Sequence, residues 1–144
     1  MTKPDVPLPP LTPAVAMALD PAYRHAYGRL VATRLAAARQ RLVAVHGDLY
    51  SQERVGQRLQ QSQTWISNLE LGQRRVDTGA LMVLSALYQV SIESLVMAPS
   101  GRDEEGQMER WMREYRALMR GQEPAPPYAP PVAPSVRGGA RRSR

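Results

Sequence analysis

The chain has 144 residues, of which 43% are hydrophobic and 22% charged, enough for one domain of ordinary size with tails. It contains no cysteine, which excludes a disulfide framework, a thiolate zinc site and a cysteine nucleophile. Its formal net charge is +6, which favours an anionic partner, with nucleic acid as the first candidate and simple solubility charge as the plainer alternative.

The prolines mark the ends of the foldable part. Of 13 prolines, five lie within residues 4–13 and six within 124–134. We therefore expect a Pro-rich disordered segment over 1–20 and a Pro-rich, then Arg-rich, disordered tail over 123–144. No stretch approaches the roughly 20 apolar residues that span a bilayer, and the N-terminus lacks a basic segment followed by an apolar run. We expect a cytoplasmic, nucleoid-associated protein without a membrane partner.

Helical periodicity begins at Asp20-Pro21, where Asp is a good N-cap and Pro fits the first helical position. The apolar face of this helix consists of residues that recur at steps of four, three, four and three, namely Val31, Leu35, Ala38, Leu42 and Val45. Arg34, Arg39 and Arg41 lie off this face.

Four shorter helices follow, and each is preceded by a residue that can cap it. The predicted caps are Ser51, Ser62, Asp77 and Ser91. Gly72 is suited to end a helix, because glycine readily adopts the left-handed backbone conformation found at helix C-termini. No strand pattern appears, so the predicted fold class is all-α.

The second and third helices, over about 51–59 and 62–71, are joined by about three residues, which is the arrangement of a helix-turn-helix. Gly56 lies in the middle of the first of them, where a large side chain would hold the two helices apart. The exposed face at the start of the second helix carries short hydroxyl and amide side chains. Such groups can form paired hydrogen bonds with base edges.

This segment resembles the Cro and lambda-repressor type of helix-turn-helix, also called XRE-type. The sequence motif of this family is Ser-Gln-Glu, a small residue, a turn, and then Ser-Gln-x-x-Ile-Ser-x-Leu-Glu-x-Gly. Here it reads Ser51-Gln52-Glu53, Gly56 and residues 62–72. The resemblance covers about residues 30–97 and implies a five-helix lambda-repressor-like DNA-binding domain over 21–99. The chain departs from the family at Gln60, where the turn commonly carries Gly, and in a longer connection before Tyr50.

The resemblance also implies roles for individual residues in binding double-stranded DNA. The positions that face the major groove are Gln63, Thr64, Ser67 and Asn68. The positions that hold phosphates are Gln52, Ser62, Gln73, Arg74 and Arg75. Gln52 also braces the recognition helix, and Glu70 is a structural residue near that helix's end. The implied function is a sequence-specific transcriptional regulator, acting as a homodimer on a palindromic operator.

Residues 100–122 form a separate segment with an amphipathic helix over 103–120. Its apolar face consists of Met108, Trp111, Met112, Tyr115, Leu118 and Met119. This face either covers the core of its own domain or forms an interface, and we favour dimerisation. The alternative function is an antitoxin-like or polymerase-contacting interaction module, in which this helix docks a partner protein. The sequence offers no catalytic constellation, metal cluster or cofactor loop, so we expect neither an enzyme nor a cofactor.

Overall fold

A computed structural model describes residues 5, 7, 10 and 12–120 of the chain. The disorder predicted for 123–144, and for residues 1–4, 6, 8, 9 and 11 of the Pro-rich N-terminal segment, lies outside these residues. Within the segment predicted to be disordered over 1–20, Pro13–Leu19 instead form a helix, and the Thr12 hydroxyl caps it by accepting from the amide of Val15 at 3.2 Å. The described part is mostly helical and contains no β-strand, which confirms the all-α class. Its helices are α1 (Pro13–Leu19), α2 (Pro21–His46), α3 (Gln52–Arg58), α4 (Gln63–Glu70), α5 (Thr78–Tyr88), α6 (Ile92–Val96) and α7 (Gly101–Met119), with a 3₁₀ turn at Gly47–Tyr50 between α2 and α3. None of them is long and apolar enough to cross a membrane.

The predicted N-caps are confirmed. In each case a side-chain oxygen accepts a hydrogen bond from a free amide of the first helical turn. The pairs are Asp20 with Ala22, Ser51 with Arg54, Ser62 with Trp65, Asp77 with Ala80, and Ser91 with Ser94, at 2.7–3.2 Å. Gly72 has the expected positive φ of 73°. The positive φ of Gln89, which ends α5, was not predicted.

The first hydrophobic core lies where α2, from Val31 onward, meets α3 to α6. It is formed by Val31, Leu35, Ala38, Val55, Ile66, Leu69, Ala80, Leu84, Tyr88 and Leu95. The stripe predicted on α2 is confirmed through Ala38, and Leu42 packs at the edge of this core. Val45 is a correction, because it is exposed in the last turn of α2.

The second core lies between the N-terminal half of α2 and α7. Ala26 and Leu30 of α2 pack there against Met108 and Trp111 of α7, each of which keeps only 4% of its surface exposed. Met112 packs beside them, Tyr115 and Met119 are half-buried, and Leu118 is 65% exposed. The predicted dimerisation stripe is thus corrected for Met108 and Trp111, since these side chains cover the chain's own core.

Arg34 of α2 binds both α7 and the end of α6 to this long helix. Arg34 forms a paired salt bridge with Glu104 at 2.7 and 3.0 Å. It also donates hydrogen bonds to the carbonyls of Leu95, Met97 and Ala98, at the end of α6 and just after it. Arg34 therefore occupies acceptors that the short helix α6 leaves without intrahelical partners.

The contribution of the Arg34–Glu104 ion pair to stability depends on pH. The hydrogen bonds from Arg34 lower the pKa of Glu104 from 4.5 to about 2. A carboxyl group with a lowered pKa stabilises the folded state above its unfolded pKa, and this contribution disappears as the pH falls through the folded value. We expect Glu104→Gln to destabilise the protein at pH 6, and the difference from the original chain to shrink as the pH falls from about 4.5 toward 2. Urea unfolding across this range measures the effect, with the exposed neighbour Glu105→Gln as the control. A difference independent of pH would contradict this role for the ion pair.

Candidate nucleic-acid interface

The candidate surface consists of the exposed face of α4 and the loop that follows it. The tight turn between α3 and α4 sets its geometry. Gly56 lies so close to the turn that a Cβ there would be 2.8 Å from the carbonyl oxygen of Gln61 and 3.1 Å from that of Ser62. Its own carbonyl accepts a hydrogen bond from the amide of Gln61 at 2.8 Å. Gln60, which stands where the resembled turn commonly carries Gly, adopts the left-handed conformation with φ of 56°. The predicted reason for Gly56, the close approach of the two helices, agrees with these contacts.

Gly56→Ala is expected to lower the free energy of unfolding by about 1–3 kcal/mol, because backbone atoms of the turn must move. Alanine is the better helix former, so helix propensity alone predicts a gain of up to about 1 kcal/mol. Gly106→Ala in α7 is the matched control, since nothing lies within 4 Å of a Cβ there. Urea unfolding should give opposite signs for the two variants. A stabilising Gly56→Ala would contradict the close packing at the turn.

The outer face of α4 presents the predicted base-contacting residues. Gln63 and Thr64 are exposed at the start of the helix, whereas Ser67 and Asn68 are half-buried in its second turn. The opposite face buries Ile66 and Leu69 in the first core. The four polar side chains therefore lie on one short helix whose back is fixed, and the two at its N-terminal end are the more accessible.

The predicted phosphate-contacting residues lie at both ends of α4. Ser62 caps the helix, its hydroxyl oxygen accepting from the amide of Trp65 at 3.0 Å. At the other end, Gln73, Arg74 and Arg75 are exposed on the loop that follows the helix. The amides of Gln73 and Arg74 donate to the Asn68 carbonyl at 2.9 and 3.1 Å, which ties this loop to α4.

Trp65 links α4 to the same loop. Its ring is half-buried and packs against the first core. The guanidinium carbon of Arg74 lies 5.7 Å from the ring centroid, within the range of a cation–π contact. The indole therefore packs against the core, and it also contacts one of the two loop arginines.

A buried ion pair holds α4 against α2. Arg39 Nε donates to Glu70 Oε2 at 2.6 Å, and Arg39 Nη2 donates to Glu70 Oε1 at 2.9 Å. The third nitrogen of Arg39 donates to the Tyr50 carbonyl at 3.2 Å. Gln52 Nε2 donates to Glu70 Oε1 at 3.0 Å, so the start of α3 joins the same network. The hydrogen bonds to Glu70 raise the pKa of Arg39, which remains charged.

These contacts agree with two of the predicted roles and reveal a residue that was missed. Gln52 contacts α4 as a brace, and Glu70 is structural. Arg39, which was predicted to lie off the apolar face of α2, is only 6% exposed. Its spacing carried a usable signal, because it lies four residues after the buried Leu35 and thus on the same side of the helix.

Replacing either partner of this pair by Met should leave the other charge buried without compensation and lower the free energy of unfolding by about 3–5 kcal/mol. The double variant Arg39→Met/Glu70→Met should lower it by clearly less than the sum of the two single variants. Urea unfolding of all three measures the coupling. Arg110→Met is the control, because Arg110 pairs with Glu114 at 4.0 Å and both side chains are more than half exposed. Additive effects of Arg39→Met and Glu70→Met would show that the pair is not coupled.

Comparison with protein-family models, with curated proteins and with solved structures finds no match for this chain. Within the described residues, no group of three or more His, Asp or Glu side chains is placed to hold a metal ion.

Proposed function

We propose that this chain is a sequence-specific regulator that binds double-stranded DNA with α4 in the major groove. The observation that carries the proposal is the outward polar face of α4, with Gln63, Thr64, Ser67 and Asn68 on a helix fixed from behind by Arg39 and Glu70. An α-helix fits the major groove, and amide side chains can pair with adenine in two hydrogen bonds. The rigid back of α4 supports this role because base readout needs side chains held in one register.

Phosphate contacts at both ends of α4 would position the helix and supply most of the affinity. Arg74 and Arg75 carry positive charge at the C-terminal end, with Gln73 beside them. At the other end, the Ser62 hydroxyl is the predicted donor. The side-chain amide of Gln52, which also bonds Glu70 at the C-terminal end of α4, is a further predicted donor. Each phosphate that the protein neutralises should steepen the log–log salt dependence of binding by about 0.9. Contacts of this kind carry no sequence information, which is left to the face of α4.

A homodimer on a palindromic site completes the proposal. Two copies of α4 would enter successive major grooves about 34 Å apart. Met108 and Trp111 lie in the chain's own core, so such a dimer would use another surface. The same burial argues against the alternative, an interaction module that docks a partner through 103–120, since only Leu118 of the predicted face is exposed.

Selection of genomic DNA fragments by the purified full chain tests the proposal. We expect the original chain to select a palindromic site, and Gln63→Ala/Asn68→Ala to lose this preference while retaining weak, salt-sensitive binding. Arg74→Ala/Arg75→Ala should weaken binding to all sequences alike, because these residues are assigned to phosphates.

The matched control is Gln40→Ala/Gln57→Ala, which removes two exposed amides from α2 and α3. It should select the same site as the original chain. If the original chain binds all fragments equally, or if Gln63→Ala/Asn68→Ala keeps the same preference, α4 does not read the sequence and the proposal fails.

A further inference from the structure

The loop that carries Arg74 and Arg75 is packed directly against α2 at one point. Gly72, the first loop residue in a left-handed conformation, has φ of 73°. A Cβ at this position would lie 3.1 Å from Cγ of Arg29 and 3.7 Å from its Cα. The aliphatic stem of Arg29 therefore forms the surface on which the start of the loop rests.

The other end of the same side chain is held by α7. The guanidinium carbon of Arg29 lies 4.7 Å from the ring centroid of Trp111, and its Nη1 donates to Glu114 Oε2 at 3.3 Å. Trp111 is buried in the second core, so its ring is a fixed platform. Glu114 lies about one helical turn further along α7. Arg29 is thus fixed between the loop on one side and α7 on the other.

We propose that Arg29 is a positioning residue for the Gln73–Arg75 loop, and that the docking of α7 on α2 thereby sets the affinity for DNA. The inference rests on the proposed function, and it extends that function to a helix outside the part of the chain that resembles the helix-turn-helix family. Removing α7 from α2 would free the guanidinium of Arg29 and take away the support that holds its stem against Gly72. The loop arginines would then have to be ordered when DNA binds, and this ordering lowers affinity.

The loop amides give a readout that does not involve DNA. The amides of Gln73 and Arg74 are bonded to the Asn68 carbonyl, so their hydrogen exchange reports opening of the loop. In the free full-length protein, Arg29→Ala should speed their exchange by about threefold or more, the size expected for an exposed tie of this kind. Arg29→Lys keeps the stem and the positive charge and should restore most of the protection. Arg113→Ala, which removes a charge from the exposed face of α7, should leave the loop unchanged.

A second pair of variants, which have the same net charge as each other, tests the contribution of α7. Glu114→Gln and Glu109→Gln each remove one negative charge from α7, and general electrostatics predicts slightly tighter DNA binding for both. Glu114 contacts Arg29, whereas Glu109 is exposed elsewhere on the helix. We expect Glu114→Gln to bind a mixed-sequence 25-base-pair duplex about two- to threefold more weakly than Glu109→Gln.

The outcomes separate this inference from the proposed function. If the original chain does not bind the duplex or any selected fragment, the DNA function fails, and the exchange data still decide whether Arg29 orders the loop. If Arg29→Ala leaves the exchange of Gln73 and Arg74 at the level of Arg113→Ala, the positioning role is overturned. If exchange changes but Glu114→Gln binds DNA as tightly as Glu109→Gln, the docking of α7 does not set the affinity.

Discussion

The buried ion pair between Arg39 and Glu70 is the interaction on which the arrangement of this molecule depends. Two charges removed from water must satisfy each other, and here two parallel hydrogen bonds do so, with further bonds to Gln52 and to the Tyr50 carbonyl. Helix α4 has eight residues, too few to be stable in isolation. The pair fixes its last residue to α2, while Ile66 and Leu69 fix its buried face. The polar face is then held in one orientation, as a helix that reads DNA requires.

Helix α2 is the element that joins the two halves of the structure. Its 26 residues contribute Ala26 and Leu30 to the second core, with α7, and the residues from Val31 to Ala38 to the first core. Arg39 links this helix to α4, and Arg34 links it to Glu104 of α7. Arg29, five residues before Arg34, contacts both α7 and the loop after α4. Because one helix supports both cores, a change in how α7 docks can affect the proposed DNA surface without any change in α4 itself.

The features that sequence predicted well are those decided by neighbouring residues. Caps such as Ser62 and Asp77 depend on amides three residues away, and Gly56 and Gly72 were identified from local demands on the backbone. The burial of Arg39 was missed because its partner Glu70 lies 31 residues further along the chain. The apolar face of α7 was correctly identified at Met108, Trp111 and Met112 but not at Leu118, which is exposed. Its periodicity is the same whether it meets α2 or a second copy. Only the packing of Trp111 on Leu30 and Ala26 distinguishes the two.

The proposed DNA-binding surface of this chain is α4 together with the loop after it. The most direct test is to follow the backbone amide resonances of the full chain as a duplex carrying a selected site is added. We expect the largest changes at residues 62–68 and 73–75, with much smaller ones at exposed positions of α7 such as Glu109 and Arg113. Changes concentrated on α7, or spread evenly over the exposed arginines of the chain, would contradict it.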